Sequence, residues 1–220
     1  MEKSKLIDSA KVYTLAEGLA LVKKTSSVKF DASVEFHAVL GIDTASGDQQ
    51  VRASVSLPHG TGKTKRIAVF ATGDDLKAAQ EAGADKCGGK ELIDEIKAQK
   101  KLDGIDVVVA TPAMMPLLAP VAKILGPRGL MPSPKTETVT TKIKEVVAQL
   151  KKGKVEFRND TGANLHQVIG KVSWDEAKLL ENITVLLEAL RKARPAKSKG
   201  TFIRQLTLCS TMGPAVRITV

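Results

Sequence analysis

The sequence is poor in aromatic residues, which make up only 3% of its 220 positions. Its core therefore depends on aliphatic side chains, and apolar residues still account for 43% of the chain. That share is ordinary for a globular protein and argues against wholesale disorder. The scarcity of rings also argues against binding single-stranded nucleic acid by stacking its bases on rows of aromatic side chains.

Cysteine and histidine are scarce as well. The cysteines, Cys87 and Cys209, are too few and too isolated for a disulfide framework. The histidines, His37, His59 and His166, are scattered, whereas zinc sites usually show closely spaced pairs of ligands. The sequence therefore predicts no metal site, and none of its motifs requires a cofactor.

Long hydrophobic runs and catalytic signatures are also missing. No apolar stretch approaches the ~20 residues that cross a bilayer, and no signal-peptide pattern follows the polar residues 1–5. We therefore expect a cytoplasmic protein without a membrane partner. The sequence has neither a Gly-x-Ser-x-Gly elbow nor a His-Glu-x-x-His zinc helix. No catalytic residue is predicted, and the chain is not expected to be an enzyme.

What the sequence does have is positive charge. Its 34 Lys and Arg residues outnumber 24 Asp and Glu residues, for a net charge of +10. Such a surplus favours an anionic partner, which can be a nucleic acid, a membrane surface or an acidic protein. Residues 1–62 carry seven bases and seven acids, residues 63–153 sixteen and eleven, and residues 154–220 eleven and six. The surplus therefore lies after the first segment.

The hydrophobic pattern changes along the chain. Residues 33–40 and 51–57 alternate between apolar and polar positions, which is typical of half-buried strands. The polar stretch 43–50 predicts a hairpin loop between them. Residues 66–71 and 105–110 are continuously apolar, as in strands that are buried on both faces. Helical patterns follow each of these two strands, which is the order of a parallel α/β unit.

The alternation between apolar and polar positions returns after Gly153. Residues 154–158 and 164–169 predict two paired strands, and a long amphipathic helix and two further strands follow. This order predicts a discontinuous α+β outer domain, residues 1–62 and 154–220, with an antiparallel sheet and helices. The α/β part, residues 63–153, is predicted to be an inserted Rossmann-like three-layer domain.

Glycines mark both crossings between the two predicted domains. Gly60 and Gly62 lie at the first crossing and Gly153 at the second. Because glycine adopts dihedral angles that other residues avoid, these positions can form a two-strand hinge. Ordinary turns that do not move explain the same glycines equally well.

Three segments suggest contact with nucleic acid, each beside a plainer interpretation. Arg128 in the sequence GPRG can offer a guanidinium to a phosphate, or the loop is only structural. Lys197 and Lys199 lie in residues 191–200, which hold five bases and no acid, so they contact phosphate or form a solvated linker. Residues 210–214, STMGP, can contact RNA sugars or form a simple turn.

A phosphate loop is a weaker candidate. The sequence GTGKT at residues 60–64 has Leu57 where the full motif requires a glycine. A strand is also predicted where the motif requires a helix. A nucleotide-binding enzyme on the inserted domain is therefore an alternative that only fold analogy supports.

Six segments, taken together, resemble one family. In their order and spacing they closely resemble the ribosomal protein L-one family, large-subunit proteins of the lateral stalk, and Leu130 resembles the bacterial type. A short segment, residues 1–9, precedes the match where many bacterial members have a longer basic leader. The segments are 29–35 (KFDASVE), 57–63 (LPHGTGK), 125–132 (LGPRGLMP), 157–160 (FRND), 169–171 (IGK) and 210–214 (STMGP).

The resemblance implies the fold described above and a set of partners. These are the large-subunit rRNA of the lateral stalk, exit-site tRNA, the protein's own operon mRNA and the ribosome, with a monomer off the ribosome. The implied activities are assistance in the release of deacylated tRNA and repression of translation. A translational repressor that never enters the ribosome is the rival interpretation.

The resemblance also implies which residues contact rRNA. Ser33 stands where threonine is usual, so the hydroxyl is kept and a methyl group is lost. The strand pair around Arg158 and His166 is expected to add a second contact. The first set of implied contacts is Lys29, Phe30, Ser33, Glu35, Thr211, Met212 and Gly213.

Overall fold

The computed structural model describes residues 7–8, 11–99 and 104–219. Its contacts divide the chain into two compact units. The first unit comprises residues 1–62 and 155–220, and the second comprises residues 63–154. The sequence-based boundary lies one residue earlier, after Gly153. The protein is a mixed α/β fold with antiparallel and parallel sheets, as its sequence pattern predicts.

The first unit contains two helices and six strands among its described residues. Helix α1 (Leu15–Thr25) begins with a capping box, in which the side chains of Thr14 and Glu17 each accept a hydrogen bond from the other's backbone N–H. The elements are α1 (Leu15–Thr25), β1 (Ser33–Leu40), β2 (Arg52–Ser56), β6 (Lys154–Arg158), β7 (Asn164–Lys171), α7 (Glu176–Lys192), β8 (Ile203–Ser210) and β9 (Val216–Ile218).

Four strands form an antiparallel sheet in the order β7-β1-β8-β9. Burial alternates along β1, where Phe36 is fully buried and its neighbours Glu35 and His37 are partly exposed. The buried face packs against α1 and α7 in one hydrophobic core, together with side chains of β2 and β6. The opposite face carries polar side chains and is partly exposed, so it is the candidate surface for a partner.

Both predicted hairpins of this unit are wrong. Strand β2 does not pair with β1 but with β6, in a separate two-stranded sheet. Both edges of β1 are occupied, because β7 pairs along one and β8 along the other. Strand β6 is also not the hairpin partner of β7, since it pairs with β2. The isolated bridge between Asn159 and Leu165 and the hydrogen bonds of the turn at Asp160 join the two segments.

The second unit holds a parallel sheet in the order β4-β3-β5. The sequence pattern predicts two of these strands, β3 and β5, whereas the third, β4, is only three residues long and is not predicted. The helical pattern that follows β5 forms a run of short helical turns over residues 112–125. The elements are β3 (Ile67–Phe70), α2 (Asp74–Glu81), β4 (Lys86–Gly88), α3 (Lys90–Gln99), β5 (Val107–Ala110), α4 (Met115–Leu118), α5 (Ala122–Leu125) and α6 (Ile143–Lys152).

Helices cover both faces of this parallel sheet. Ile67, Val69 and Val109 pack on one face against α2 and α6. Ala68 and Phe70 pack on the other face against α3 and the short turns. This burial explains why the strands have continuous apolar sequences. Among the described residues, no helix has the length and apolar character needed to cross a membrane.

Candidate nucleic-acid interface

The turn between β8 and β9 is fastened to the start of β1. The backbone N–H of Thr211 donates to the Ser33 carbonyl oxygen at 2.9 Å. The Thr211 hydroxyl donates to Glu35 Oε1 at 3.0 Å and accepts the Ser33 N–H at 3.3 Å. Ser33, Glu35 and Thr211, three of the rRNA contacts that the resemblance implies, are therefore in direct contact, although 176 positions separate Glu35 from Thr211.

The same turn exposes a methionine side chain to solvent. Met212 has a φ of 64°, in the left-handed region that non-glycine residues rarely adopt, and it is 83% exposed. The next N–H, that of Gly213, donates to the Ser210 carbonyl oxygen at 2.7 Å. A Cβ on Gly213 would stand 2.1 Å from the Ser210 hydroxyl oxygen. Only glycine fits this tight turn without a shift of its neighbours.

A second apolar side chain is exposed just before β1. Phe30 is 59% exposed, and Lys29 beside it is also exposed. The following residue, Asp31, accepts hydrogen bonds from the backbone N–H and the hydroxyl of Ser173. Since Asp31 is held in this way, Phe30 is presented at a defined place. Exposed apolar side chains rimmed by polar groups are typical of interaction surfaces.

Lys171 ties these two segments together. Its Nζ donates to the Asp31 carbonyl oxygen at 3.1 Å and to the Ser33 hydroxyl at 3.2 Å. Ser33 itself is 8% exposed, so its hydroxyl supports the surface from within. We refer to the residues Phe30, Ser33, Glu35, Lys171, Thr211, Met212 and Gly213 as the loop-anchor cluster.

Histidine and cysteine side chains lie next to this cluster on the uncovered sheet face. The Nδ1 atoms of His37 and His166 are 2.8 Å apart, so one of them donates a proton and the other accepts it. His37 Nε2 lies 3.1 Å from Cys209 Sγ and 3.7 Å from Glu35 Oε2. His166 Nε2 lies 3.6 Å from Asp160 Oδ2. Glu35 therefore faces Thr211 with one oxygen and His37 with the other.

Burial determines the protonation states of His37 and Cys209. Burial, followed by the neighbouring His166, lowers the pKa of His37, and Glu35 only partly opposes this. Burial, with the Glu35 charge adding to it, raises the pKa of the Cys209 thiol to about 11. Near neutral pH, His37 is thus an uncharged ring and Cys209 a protonated thiol.

The predicted second contact is divided between two sheets. His166 lies in β7 on the uncovered face, whereas Arg158 is exposed at the end of β6 in the two-stranded sheet. Arg158 lines an open groove with Thr44, Gln50, Asn159, Asp160 and Thr161. The hydrogen bond from the Asn164 N–H is the main cause that lowers the pKa of Asp160, so this groove also holds a carboxylate. Asp160 connects the groove to His166.

The predicted phosphate contacts are exposed. Lys197 Nζ forms an ion pair with Asp48 Oδ2 at 2.5 Å. Lys199 is exposed in the segment that follows α7, and Arg128 is exposed in the loop after α5 of the second unit. A phosphate would therefore compete with Asp48 for Lys197.

The crossing glycines all adopt left-handed backbone conformations. The φ angles are 66° at Gly60, 78° at Gly62 and 117° at Gly153. Gly153 ends helix α6 as its C-cap. These angles explain why glycine stands at each position, and the hinge remains a prediction.

Sequence reasoning did not single out Lys171, Asp31 or His37 as members of this surface. The signal for Lys171 in the sequence is the glycine before it. A Cβ at Gly170 would stand 2.6 Å from Leu179 Cδ2 of α7, so packing requires glycine there and holds the backbone next to Lys171 in place. His37 and Cys209 have no such local signal.

The sequence of this chain also matches a known protein family. The model of the Ribosomal protein L1p/L10e family matches residues 22–214 of this chain. The matched region contains β1, the parallel sheet and the turn that carries Met212. Since it covers most of the sequence, the chain belongs to the Ribosomal protein L1p/L10e family.

Proposed function

We propose that this protein is a structural constituent of the large ribosomal subunit that binds lateral-stalk rRNA through the loop-anchor cluster. Membership in a ribosomal protein family supports the ribosome as its place of action. The observation that carries the proposal is the turn at Thr211, which is fastened to β1 and leaves Met212 83% exposed. The proposal extends to assisting the release of exit-site tRNA and to repressing the protein's own operon mRNA.

The cluster suits folded RNA better than a bare phosphate backbone. Met212 and Phe30 offer apolar contacts to bases and sugars, and Gly213 lets a backbone approach closely. Glu35 and the Thr211 hydroxyl offer oxygen atoms to ribose 2′-hydroxyl groups and base amino groups. Carboxylates repel phosphates, so a site built around Glu35 selects shape and hydrogen-bond donors.

Phosphate contacts would come from elsewhere. We assign them to Lys197, Lys199 and Arg128, whose neutralisation of phosphates releases counterions and makes binding salt-dependent. Arg158 and His166 would add a second contact to the rRNA.

The second unit is proposed to face the tRNA, with Gly60, Gly62 and Gly153 as its hinge. Distances between spectroscopic labels on the two units should change when rRNA binds, and unchanged distances would remove the hinge.

The direct test is a gel-shift titration of a stalk rRNA fragment. Thr211→Val removes the hydroxyl that joins Ser33 to Glu35 and should weaken binding about tenfold or more, since a hydrogen bond to a charged group is worth roughly 1.5–3 kcal/mol. Thr184→Val is the matched control, because Thr184 is exposed on α7. Equal affinities for the two variants would remove the loop-anchor cluster from the RNA site.

Two binding assays address the alternatives. Sedimentation with the large subunit distinguishes a ribosomal constituent from a repressor that acts only on mRNA. Binding of ATP and NAD tests the nucleotide-using enzyme. We expect none, because strand β3 follows Lys63 at the place where a phosphate loop requires a helix.

A further inference from the structure

Three side chains on the uncovered sheet face converge on one point. Glu35 and His37 lie on β1, and Cys209 lies on β8 directly opposite Glu35 in the strand register. Their potential ligand atoms all lie within 4.8 Å of one another. We propose that Glu35, His37 and Cys209 form a binding site for a thiophilic divalent cation of the Zn²⁺ class.

The spacing of the ligand atoms fits a tetrahedral ion. Bonds of about 2.0–2.3 Å to nitrogen, oxygen and sulfur place neighbouring ligands about 3.5 Å apart. The distances from His37 Nε2 are 3.1 Å to Cys209 Sγ and 3.7 Å to Glu35 Oε2. An ion that sits between them needs only small side-chain adjustments, because paired strands already hold the three residues. All three residues are partly exposed, so water can complete the fourth position.

The ligand types select the metal. A thiolate and an imidazole favour Zn²⁺ and other late transition metals, whereas Mg²⁺ and Ca²⁺ prefer oxygen ligands alone. When the ion binds, the Cys209 thiol gives its proton to water and the sulfur–metal bond forms. The thiolate and the Glu35 carboxylate then balance the double charge of the ion.

The surrounding residues orient the histidine for this role. If His37 Nδ1 donates to His166 Nδ1, the lone pair of His37 Nε2 points toward the ion. His166 then carries its own proton on Nε2, which faces Asp160 Oδ2 at 3.6 Å. A histidine ligand whose second nitrogen is held by a hydrogen bond is typical of metal sites.

The test is a titration of the full-length chain with Co²⁺, which reports a bound thiolate through charge-transfer absorption. We expect one equivalent of Co²⁺ to produce this band and Zn²⁺ to displace it. Cys209→Ser should abolish the band, and His37→Gln should weaken Co²⁺ binding by more than about tenfold. His166→Ala should keep the band and weaken binding about tenfold, as expected of a positioning residue.

Matched controls are available in the same chain. Cys87→Ser removes a cysteine of the second unit, and His59→Gln removes a histidine that pairs with Glu181. Both should bind Co²⁺ as the unaltered protein does, and far-ultraviolet circular dichroism should show that every variant folds. Absence of the band in the unaltered protein, or its persistence in Cys209→Ser, would overturn the proposal. Because no RNA is present, the outcome is independent of the rRNA assay.

Discussion

The two units of this protein cover their sheets differently. In the second unit, helices pack on both faces of the parallel sheet, and Ile67, Ala68, Val69 and Phe70 of β3 are all fully buried. In the first unit, α1 and α7 cover only one face of the antiparallel sheet. The other face displays Glu35 and its polar neighbours. The polar side chains around Glu35 thus lie on the sheet face that the helices leave uncovered.

The largest expected effect concerns the exposed apolar side chains. Met212→Asp places a carboxylate against RNA and should weaken binding of a stalk rRNA fragment about 100-fold, which corresponds to about 2.7 kcal/mol. Leu117→Asp is the control, since Leu117 is an exposed hydrophobic residue of the second unit. A gel-shift titration measures both. Similar losses for the two variants would break the distinction between the units.

The second prediction compares how much a Val→Ala substitution lowers the free energy of unfolding in the covered sheet and in the uncovered sheet. Val109 is fully buried in β5, whereas Val39 is partly exposed on the uncovered face of β1. Val109→Ala should lower the free energy of unfolding of its unit by about 2 kcal/mol, because it leaves a cavity. Val39→Ala should lower it by less than about 1 kcal/mol. Hydrogen exchange resolved by residue reports each unit separately, and a reversed order would contradict the layer assignment.

The third prediction concerns the shape of the turn. Gly213→Ala should destabilise the first unit by about 1 kcal/mol, because the new Cβ meets the buried Ser210 hydroxyl and, at 3.1 Å, the Ser210 carbonyl oxygen. Gly47→Ala is the control, since nothing lies within 4 Å of its added Cβ. Denaturant unfolding measures both. If Gly213→Ala is as stable as Gly47→Ala, the turn is not tightly packed.

The smallest effect concerns salt dependence. Replacing Lys197 and Lys199 together by alanine should reduce the slope of log affinity against log salt by up to about 2, one for each lost phosphate contact. Asp48→Asn, which removes the partner of Lys197, should not reduce the slope. An unchanged slope in the double variant would show that these lysines do not contact phosphate.

The sequence predicts the elements of the fold better than their partners. The alternation over residues 33–40 matches β1, Ser33–Leu40, because a strict period of two defines both the strand and its buried face. Pairing is different, since it depends on which edges are already occupied. The hairpin expected between β1 and β2 fails because β7 and β8 take both edges of β1.

The candidate site shows the same limit. The family resemblance singles out Thr211 and Glu35, and their hydrogen bond brings them together. The approach of His37 to Cys209, 172 positions apart, leaves no mark in the local sequence, because strand register alone brings them together. The left-handed conformation of Met212 is equally hidden, since methionine has no preference for it.

The mixed charge around the Ser33–Thr211 contact has a kinetic consequence for the proposed complex. Lys171 bonds to the Asp31 carbonyl oxygen there and Glu35 to Thr211, while the surplus of basic residues lies in the second unit and the C-terminal segment. Long-range attraction mainly governs how often two molecules meet, whereas short-range fit governs how long they stay together. Salt would therefore slow the association of RNA more than it shortens the residence time of the complex.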